Sequence, residues 1–313
     1  MKKMTEILSI QFPIILAPMF LVSNVKMTIA AINSGITAAI PALNYRTVSE
    51  LRSAIREIKE ATQNRPFGIN LIVNKSNFKL EEQLQICCEE KVAFIITSLG
   101  SPKKTIKKAH KHGILVFCDV IDAKYAKKVE SFGADALIAV SKEAGGHSGN
   151  LSFKELISSL KANCSLPIIS AGGIGDNLTF KERMDLGIAG VSVGTIFIAS
   201  EESPVSLEYK QACIDYSAKD IVMTTKLSGT PCTVINTPYV QEIGTEQNWL
   251  ERFLNKNKRL KKWIKAFTFL KGMKSLQKAA FSQTYKTVWC AGSSIEYVKE
   301  IRSIEEIVKN LTK

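Results

Sequence analysis

Residues 167–176 read PIISAGGIGD, a short apolar run that stops at paired glycines. Ile168 and Ile169 suit a strand buried on both faces, and Gly172, Gly173 and Gly175 carry no Cβ that would hold a ligand away from backbone N–H groups. By its chemistry the loop is a phosphate cradle. A second strand-and-glycine unit follows at residues 190–195 (GVSVGT), and an earlier one ends in residues 143–149 (EAGGHSG), which carry a histidine. Three successive strands thus end in glycine loops.

Working outward, short apolar runs recur at residues 14–17, 36–40, 67–71, 94–97, 115–118, 136–139, 168–171 and 190–193. Each is continuously apolar, as strands covered on both faces are, and each spacer is long enough for a crossover helix, which makes the pairing parallel. Residues 49–61, with Leu51, Ile55 and Ile58 on one stripe, and residues 79–90 read as two such helices. Eight βα units predict an α/β fold of the (β/α)₈ TIM-barrel type, whose working groups sit on the loops after the strands. A doubly wound open sheet is the alternative. Against it, the first strand runs into Pro18-Met19-Phe20 instead of a GxGxxG turn, and the glycine loops fall after the sixth to eighth strands.

Past Ala199 the alternation lapses. Residues 208–217 read as a helix, residues 223–236 as an irregular stretch with Gly229 and Pro231, and residues 249–280 as basic helices in which Leu260, Trp263, Ile264, Phe267 and Leu270 keep helical spacing. The expected organisation is a barrel over residues 1–204, a basic α-helical insert over the barrel mouth at 205–285, and a returning segment at 286–313. That segment would close with an amphipathic helix at 295–311.

The formal net charge is +13, and the ten Lys and Arg between Arg252 and Lys278, with no acid among them, account for ten of these charges. Four readings of that block stand side by side. It is a solvated helix face, a docking surface for an acidic acyl carrier protein or an acyl-CoA phosphate, a membrane-surface element through Trp249, Phe253, Trp263 and Phe267, or, least favoured for want of a recognition motif, a nucleic-acid site. The seven cysteines are odd in number, scattered and without a CxxC pair, which points to a reducing, cytoplasmic setting and away from a zinc site. The apolar run at residues 12–22 follows Lys2 and Lys3 like a signal peptide, but Pro13 and Pro18 interrupt it and no small-residue cleavage site follows, so a first barrel strand is preferred. No uninterrupted apolar run reaches the length of a membrane span.

His110 and His112 lie in KKAHKHG at a spacing that faces opposite sides of a helix, so they read as surface residues and no metal site is expected. His147 instead follows Gly145 and Gly146 on a loop after a strand, where an imidazole can hold a proton near neutrality and face a ligand; merely bonding the loop backbone is the bland alternative. Gly172, Gly173, Gly194 and Thr195 together offer N–H groups from two adjacent loops plus a hydroxyl, enough to surround a phosphate without a lysine, although glycine after a strand is usually only a turn. Asn70, in FGINL, sets a carboxamide at the end of the third strand, either for a planar heterocycle or as a helix cap.

PIILAPM at the first strand, FGINL at the third, EAGGHSG at the sixth, PIISAGGIGD at the seventh, GVSVGT at the eighth and WCAGSS near the end together resemble the nitronate monooxygenase (2-nitropropane dioxygenase-like) family, which includes flavin-dependent enoyl-acyl-carrier-protein reductases. The resemblance runs in order over almost the whole chain, and the GGHxG and AGGI elements together are its specific part. It implies a barrel holding noncovalent FMN, with the phosphate at Gly173 and at Ser192, Val193, Gly194 and Thr195, beside Gly172. The isoalloxazine would lie near Met19, Asn70 and Gly145, with Ala17, Pro18 and Ala144 beside it. His147 matches the family's active-site histidine. In the monooxygenases a nitronate gives an electron to FMN, and O₂ completes oxidative denitrification to a carbonyl compound and nitrite. This sequence has Val140 and Ser192 where family members often have glutamine, Ser293 in place of the usual glutamine after Ala-Gly, and no arginine in the SGTP segment at residues 228–231.

The first expectation is therefore an FMN-dependent nitronate monooxygenase with His147 acting on substrate. The second is an enoyl-thioester reductase of lipid or polyketide assembly that uses NAD(P)H. The third, of another class, is a non-catalytic barrel that binds an anionic partner.

Overall fold

The computed structural model describes residues 2–226, 230–246 and 288–313. Eight parallel strands, β1 (Ile14–Leu16), β2 (Thr37–Pro41), β3 (Gly68–Ile72), β4 (Phe94–Ser98), β5 (Leu115–Val120), β6 (Ala136–Val140), β7 (Ile168–Ala171) and β8 (Gly190–Val193), pair in chain order. They close when β8 returns to β1, with Ile14 opposite Val191 and Leu16 opposite Val193. Every apolar run picked out in the sequence is one of these strands. The crossover helices are amphipathic. Helix Val48–Ala61 starts at a reciprocal capping box between Thr47 and Glu50 and buries Leu51, Ile55 and Ile58 against the barrel, each worth about 2 kcal/mol of apolar burial.

Strand alternation divides the barrel interior into levels. Ile15, Ala39, Phe94, Ile96, Phe117, Ile138 and Ile169 point inward and form one cluster with Met4 and Leu8 of the N-terminal helix Met4–Leu8. Met4 N–H donates to Ala189 O at 2.9 Å, so this helix plugs the N-terminal end of the barrel. Phe94 and Phe117 stack at 4.9 Å between centroids. Gly68 makes room for them, since a Cβ there would stand 2.2 Å from the Phe94 ring. Two residues further along each strand, the inward positions are Ala17, Pro41, Asn70, Ser98, Asp119, Val140, Ala171 and Ser192, and all of them line a cavity at the C-terminal end.

Beyond the barrel, residues 223–236 differ from the irregular chain expected of them. β9 (Ile221–Thr224) and β10 (Cys232–Ile235) form an antiparallel hairpin with Cys232 opposite Thr224. Cys232 and Val234 bury with Val240 and Val288. Pro231, which argues for irregular chain when taken alone, stands immediately before β10, and Gly229 lies outside the described residues. The closing helix is also shorter than expected, Ile304–Thr312, because Ser303 caps it by a reciprocal box with Glu306, while Ser293–Tyr297 forms a 3-10 turn. The helix expected at 208–217 is Leu207–Asp215. The basic stretch 249–280, and with it most of the expected insert, lies outside the described residues. Among the described residues no helix is long and apolar enough to cross a membrane.

Candidate active site

The cavity at the strand C-termini has a volume of about 790 Å³, within the range of small-molecule sites. Of the residues singled out for ligand contact, Ala17, Pro18, Met19, Asn70, Ala144, Gly145, His147, Gly172, Gly173, Ser192, Val193, Gly194 and Thr195 line it. Gly175 does not. Its missing Cβ makes room for the Tyr297 ring, which would otherwise sit 2.1 Å away. His110 and His112 are elsewhere: His110 pairs with Asp135 at 2.9 Å, and His112 lies past the end of helix Lys103–His110.

One wall is made of the loops after β6, β7 and β8, and it is assembled backbone on backbone. Gly172 has φ +109°, and a Cβ on it would fall 2.5 Å from Ala144 N. A Cβ on Gly145 would meet Gly292 N at 2.9 Å, and one on Gly292 would meet Glu143 O at 2.5 Å. Three glycines thus let the loops after β6 and β7 stack with each other and with the returning segment at Gly292. Among the described residues, the N–H groups of Gly173, Gly194 and Thr195 have no acceptor on the protein, so they remain available to an anion. Thr195 Oγ1 accepts from Gly292 N at 3.0 Å, which leaves the hydroxyl proton free to be donated. Behind the loop stands Arg183, whose Nη2 lies 3.1 Å from where a Gly173 Cβ would be. Its guanidinium is covered by the Phe153 ring. Burial pulls its pKa down, and the ion pair with Glu182 at 2.8 Å works against that.

His147 sits on the same wall, half-buried, and burial lowers its pKa from the ordinary value. At neutral pH the ring is therefore uncharged and able to take a proton. The hairpin fixes its loop: Thr233 N donates to Gly146 O at 2.8 Å, and Thr233 Oγ1 donates to Ala144 O at 2.7 Å.

The facing wall is made of the ends of β3, β4 and β5 and works through side chains. Asn70 Nδ2 donates to Ile96 O at 3.2 Å and to Ser98 Oγ at 2.7 Å, and Ser98 Oγ donates to Asp119 Oδ2 at 2.5 Å. Asn70 is inside β3, so it caps no helix. With both Nδ2 protons engaged, the remaining capacity of its carboxamide is the Oδ1 acceptor. Asp119 shows part of its surface to the cavity and is otherwise enclosed; burial pushes its carboxyl up to about 6, with the Ser98 hydrogen bond opposing that rise. A group titrating there can exchange a proton near neutrality.

The model of the nitronate monooxygenase family matches residues 1–83 and 77–313, which together carry this barrel, its glycine wall and its histidine loop. This chain belongs to the nitronate monooxygenase family. It is an oxidoreductase of the nitronate monooxygenase type. Among its relatives, the (3aS,4S,5R,7aS)-5-hydroxy-7a-methyl-1-oxo-octahydro-1H-indene-4-carboxyl-CoA dehydrogenase of Rhodococcus jostii is 30% identical over 77% of this chain and 67% of that protein. A nitronate monooxygenase of Pseudomonas aeruginosa is 28% identical over 72% of this chain and 77% of its own length. In structure, FabK from Thermotoga maritima superposes with a TM-score of 0.84 at 28% identity, covering 98% of this chain and 94% of that one.

Against the pattern of nitronate monooxygenases, Val140 and Ser192 both face the cavity, so the two missing amides are missing from the site itself. Ser293 instead braces the histidine loop, its N–H donating to Glu143 O at 3.2 Å. Ser228 lies outside the described residues. Four residues of the site were not read from the sequence: Ser98, Asp119, Arg183 and Thr233. Only Asp119 left a signal there, as the one acid inside the apolar run LVFCDV of β5 at an inward-facing position.

Proposed function

We propose that the protein is an FMN-dependent nitronate monooxygenase, taking electrons from an alkyl nitronate and passing them to O₂, with His147 as the group that meets the substrate. The observation that carries this reading is a half-buried His147, its pKa lowered by burial, on the same cavity wall as loop N–H groups that among the described residues have no protein acceptor. The residues fit the cofactor's parts. Gly173, Gly194 and Thr195 offer donors for a phosphate, beside Gly172, Ser192 and Val193, and Arg183 adds positive charge behind them. Ala17, Pro18, Met19, Ala144 and Gly145 give a small, largely apolar bed for a flat ring, and Asn70 Oδ1 offers it an acceptor. Bound there, FMN would supply the electron transfer between substrate and O₂. The chain's own part is to hold and orient. The imidazole nitrogen of His147 accepts a proton from a carbon acid or steers an anionic substrate, the hairpin keeps that ring in place, and the apolar lining excludes water from the reacting carbon.

A second reading is an NAD(P)H-dependent enoyl-thioester reductase that receives its substrate on an acidic acyl carrier protein or as a CoA thioester. It is favoured by one observation, that relatives at 30% and 29% identity are named for a carboxyl-CoA substrate. In that reading the ten cations of residues 252–278 receive an acidic carrier protein or a CoA phosphate, and residues 205–285 act as the insert that presents them. In either reading the scattered free thiols suit a cytoplasmic enzyme.

The test is the visible spectrum of the purified protein, followed anaerobically after addition of propyl-2-nitronate or of NADH. A flavin band bleached by the nitronate and untouched by NADH is the expected result. Bleaching by NADH alone would transfer the assignment to the thioester reductase, and a protein unable to take up FMN would remove the cofactor.

A further inference from the structure

Cys232, the first residue of β10, and Cys290, on the segment that returns to the barrel, bring their sulfurs to 3.7 Å. Each is anchored by its neighbours. Ile235 N donates to Trp289 O at 2.9 Å, tying β10 to that segment, and Tyr209 Oη donates to Cys290 O at 2.6 Å. The Tyr209 ring stacks on Trp289 with centroids 5.4 Å apart. Both cysteines line the cavity, Cys290 half-buried and Cys232 buried. A small solute that enters the site therefore reaches the pair.

Two sulfurs packed in an apolar cluster need no function, since free cysteine is a common core residue. Here, however, the two lie on different anchored segments, point at each other and open onto a cavity. A disulfide requires about 2.05 Å between sulfurs, so each Sγ would move by about 0.8 Å, within the reach of small side-chain rotations.

We propose that Cys232 and Cys290 are an oxidisable dithiol, an intramolecular thiol-oxidation site in the cavity wall whose two-electron oxidant is hydrogen peroxide. In the first step the Cys290 sulfur attacks one peroxide oxygen. The O–O bond breaks, the thiol proton leaves with the other oxygen as water, and Cys290 becomes a sulfenic acid. In the second, the Cys232 sulfur attacks that sulfur. The S–S bond forms, the S–O bond breaks, and the hydroxyl departs with the Cys232 proton as a second water. Two thiols are oxidised by two electrons and one peroxide is reduced to two waters. The order follows from the environments: the hydrogen bond with Cys290, together with burial, holds the Cys232 thiol well above the usual thiol range, which leaves the more accessible Cys290 to react first. This site is independent of the nitronate and thioester readings, since it needs neither substrate nor turnover.

The experiment uses the full chain as purified, reduced with dithiothreitol, desalted without oxygen and exposed to a few equivalents of hydrogen peroxide. The protein is then alkylated under denaturing conditions and digested without reductant. The expected map contains one pair of peptides joined through Cys232 and Cys290. Two of the seven thiols become unavailable to the alkylating agent, and both return after dithiothreitol. Cys232→Ser should abolish the joined pair and leave Cys290 trapped as a sulfenic acid that dimedone captures. Seven alkylatable thiols after peroxide would overturn the proposal. So would a joined pair carrying any other cysteine, or oxidation of Cys290 that stops at sulfinic acid in the unsubstituted protein. The map of the unsubstituted chain decides the matter by itself if the variant does not fold.

Discussion

The two walls of the cavity are built by opposite means. On the side of β6, β7 and β8, glycines bring loop backbones together, and the N–H groups of Gly173, Gly194 and Thr195 have no acceptor among the described residues, so that wall offers a ligand main chain. On the side of β3, β4 and β5, Asn70, Ser98 and Asp119 hand hydrogen bonds from one strand to the next, so that wall offers a ligand side chains. A main-chain site tolerates almost any residue except where a Cβ would intrude, whereas a side-chain relay fails when one member changes. The difference can be tested by substitution on each side.

The largest effect is expected on the glycine wall. Gly172→Ala places a methyl 2.5 Å from Ala144 N at a φ of +109°, and strain plus overpacking should cost about 4 kcal/mol. Urea denaturation measures it, and a change under about 1 kcal/mol would mean that the loops are not stacked as described. Next comes His147→Ala on the same wall. The rate of flavin bleaching by propyl-2-nitronate should fall about 10²-fold or more while the visible spectrum of the bound flavin persists; an unchanged rate would relieve His147 of any part in the reaction.

On the facing wall the expected effect is smaller and depends on pH. Asp119 has its folded-state pKa raised to about 6, above its ordinary value of 3.8, so the native state binds the proton more tightly than the unfolded chain does. Its contribution to stability is full below the lower value and is lost as pH rises through the upper one. Asp119→Asn has no such loss. Its stability relative to the parent should therefore increase by about 2 kcal/mol between pH 4 and pH 7.5, the figure discounted for the part of the carboxyl that meets solvent. A difference that stays flat across that window would show that the carboxyl is not held protonated. Ser98→Ala should have the smallest effect, about 1 kcal/mol for one hydrogen bond. Because that bond opposes the rise at Asp119, the carboxyl should then titrate above its present value, as carboxyl chemical shifts across a pH series would reveal.

The same contrast governs what could be read in the sequence. β1 to β8 were legible because each is a contiguous apolar run with a helix-length spacer, and a buried parallel strand leaves that mark wherever it pairs. That the glycine loops and His147 line the cavity could be read because each falls in one short stretch directly after a strand, with glycine at fixed offsets. Asn70, Ser98 and Asp119 are separated by 28 and 21 residues, and nothing local joins them; only barrel closure and the inward register do. The β9–β10 hairpin was missed for a related reason. Its strands are four residues each and acquire their meaning from Val240 and Val288, which bury them. Thr233 looks like any strand threonine until its hydroxyl is seen to hold the histidine loop.

The hydrogen bond from Gly292 N to Thr195 Oγ1 spans 97 positions of chain. A ribosome adding about 5–20 residues each second needs roughly 5–20 s between these two residues. During that interval β8 and its loop have been synthesised, but the Gly292 segment that completes the glycine wall has not. The nascent barrel would spend that time with its mouth unfinished, and it is then that it would most depend on chaperones.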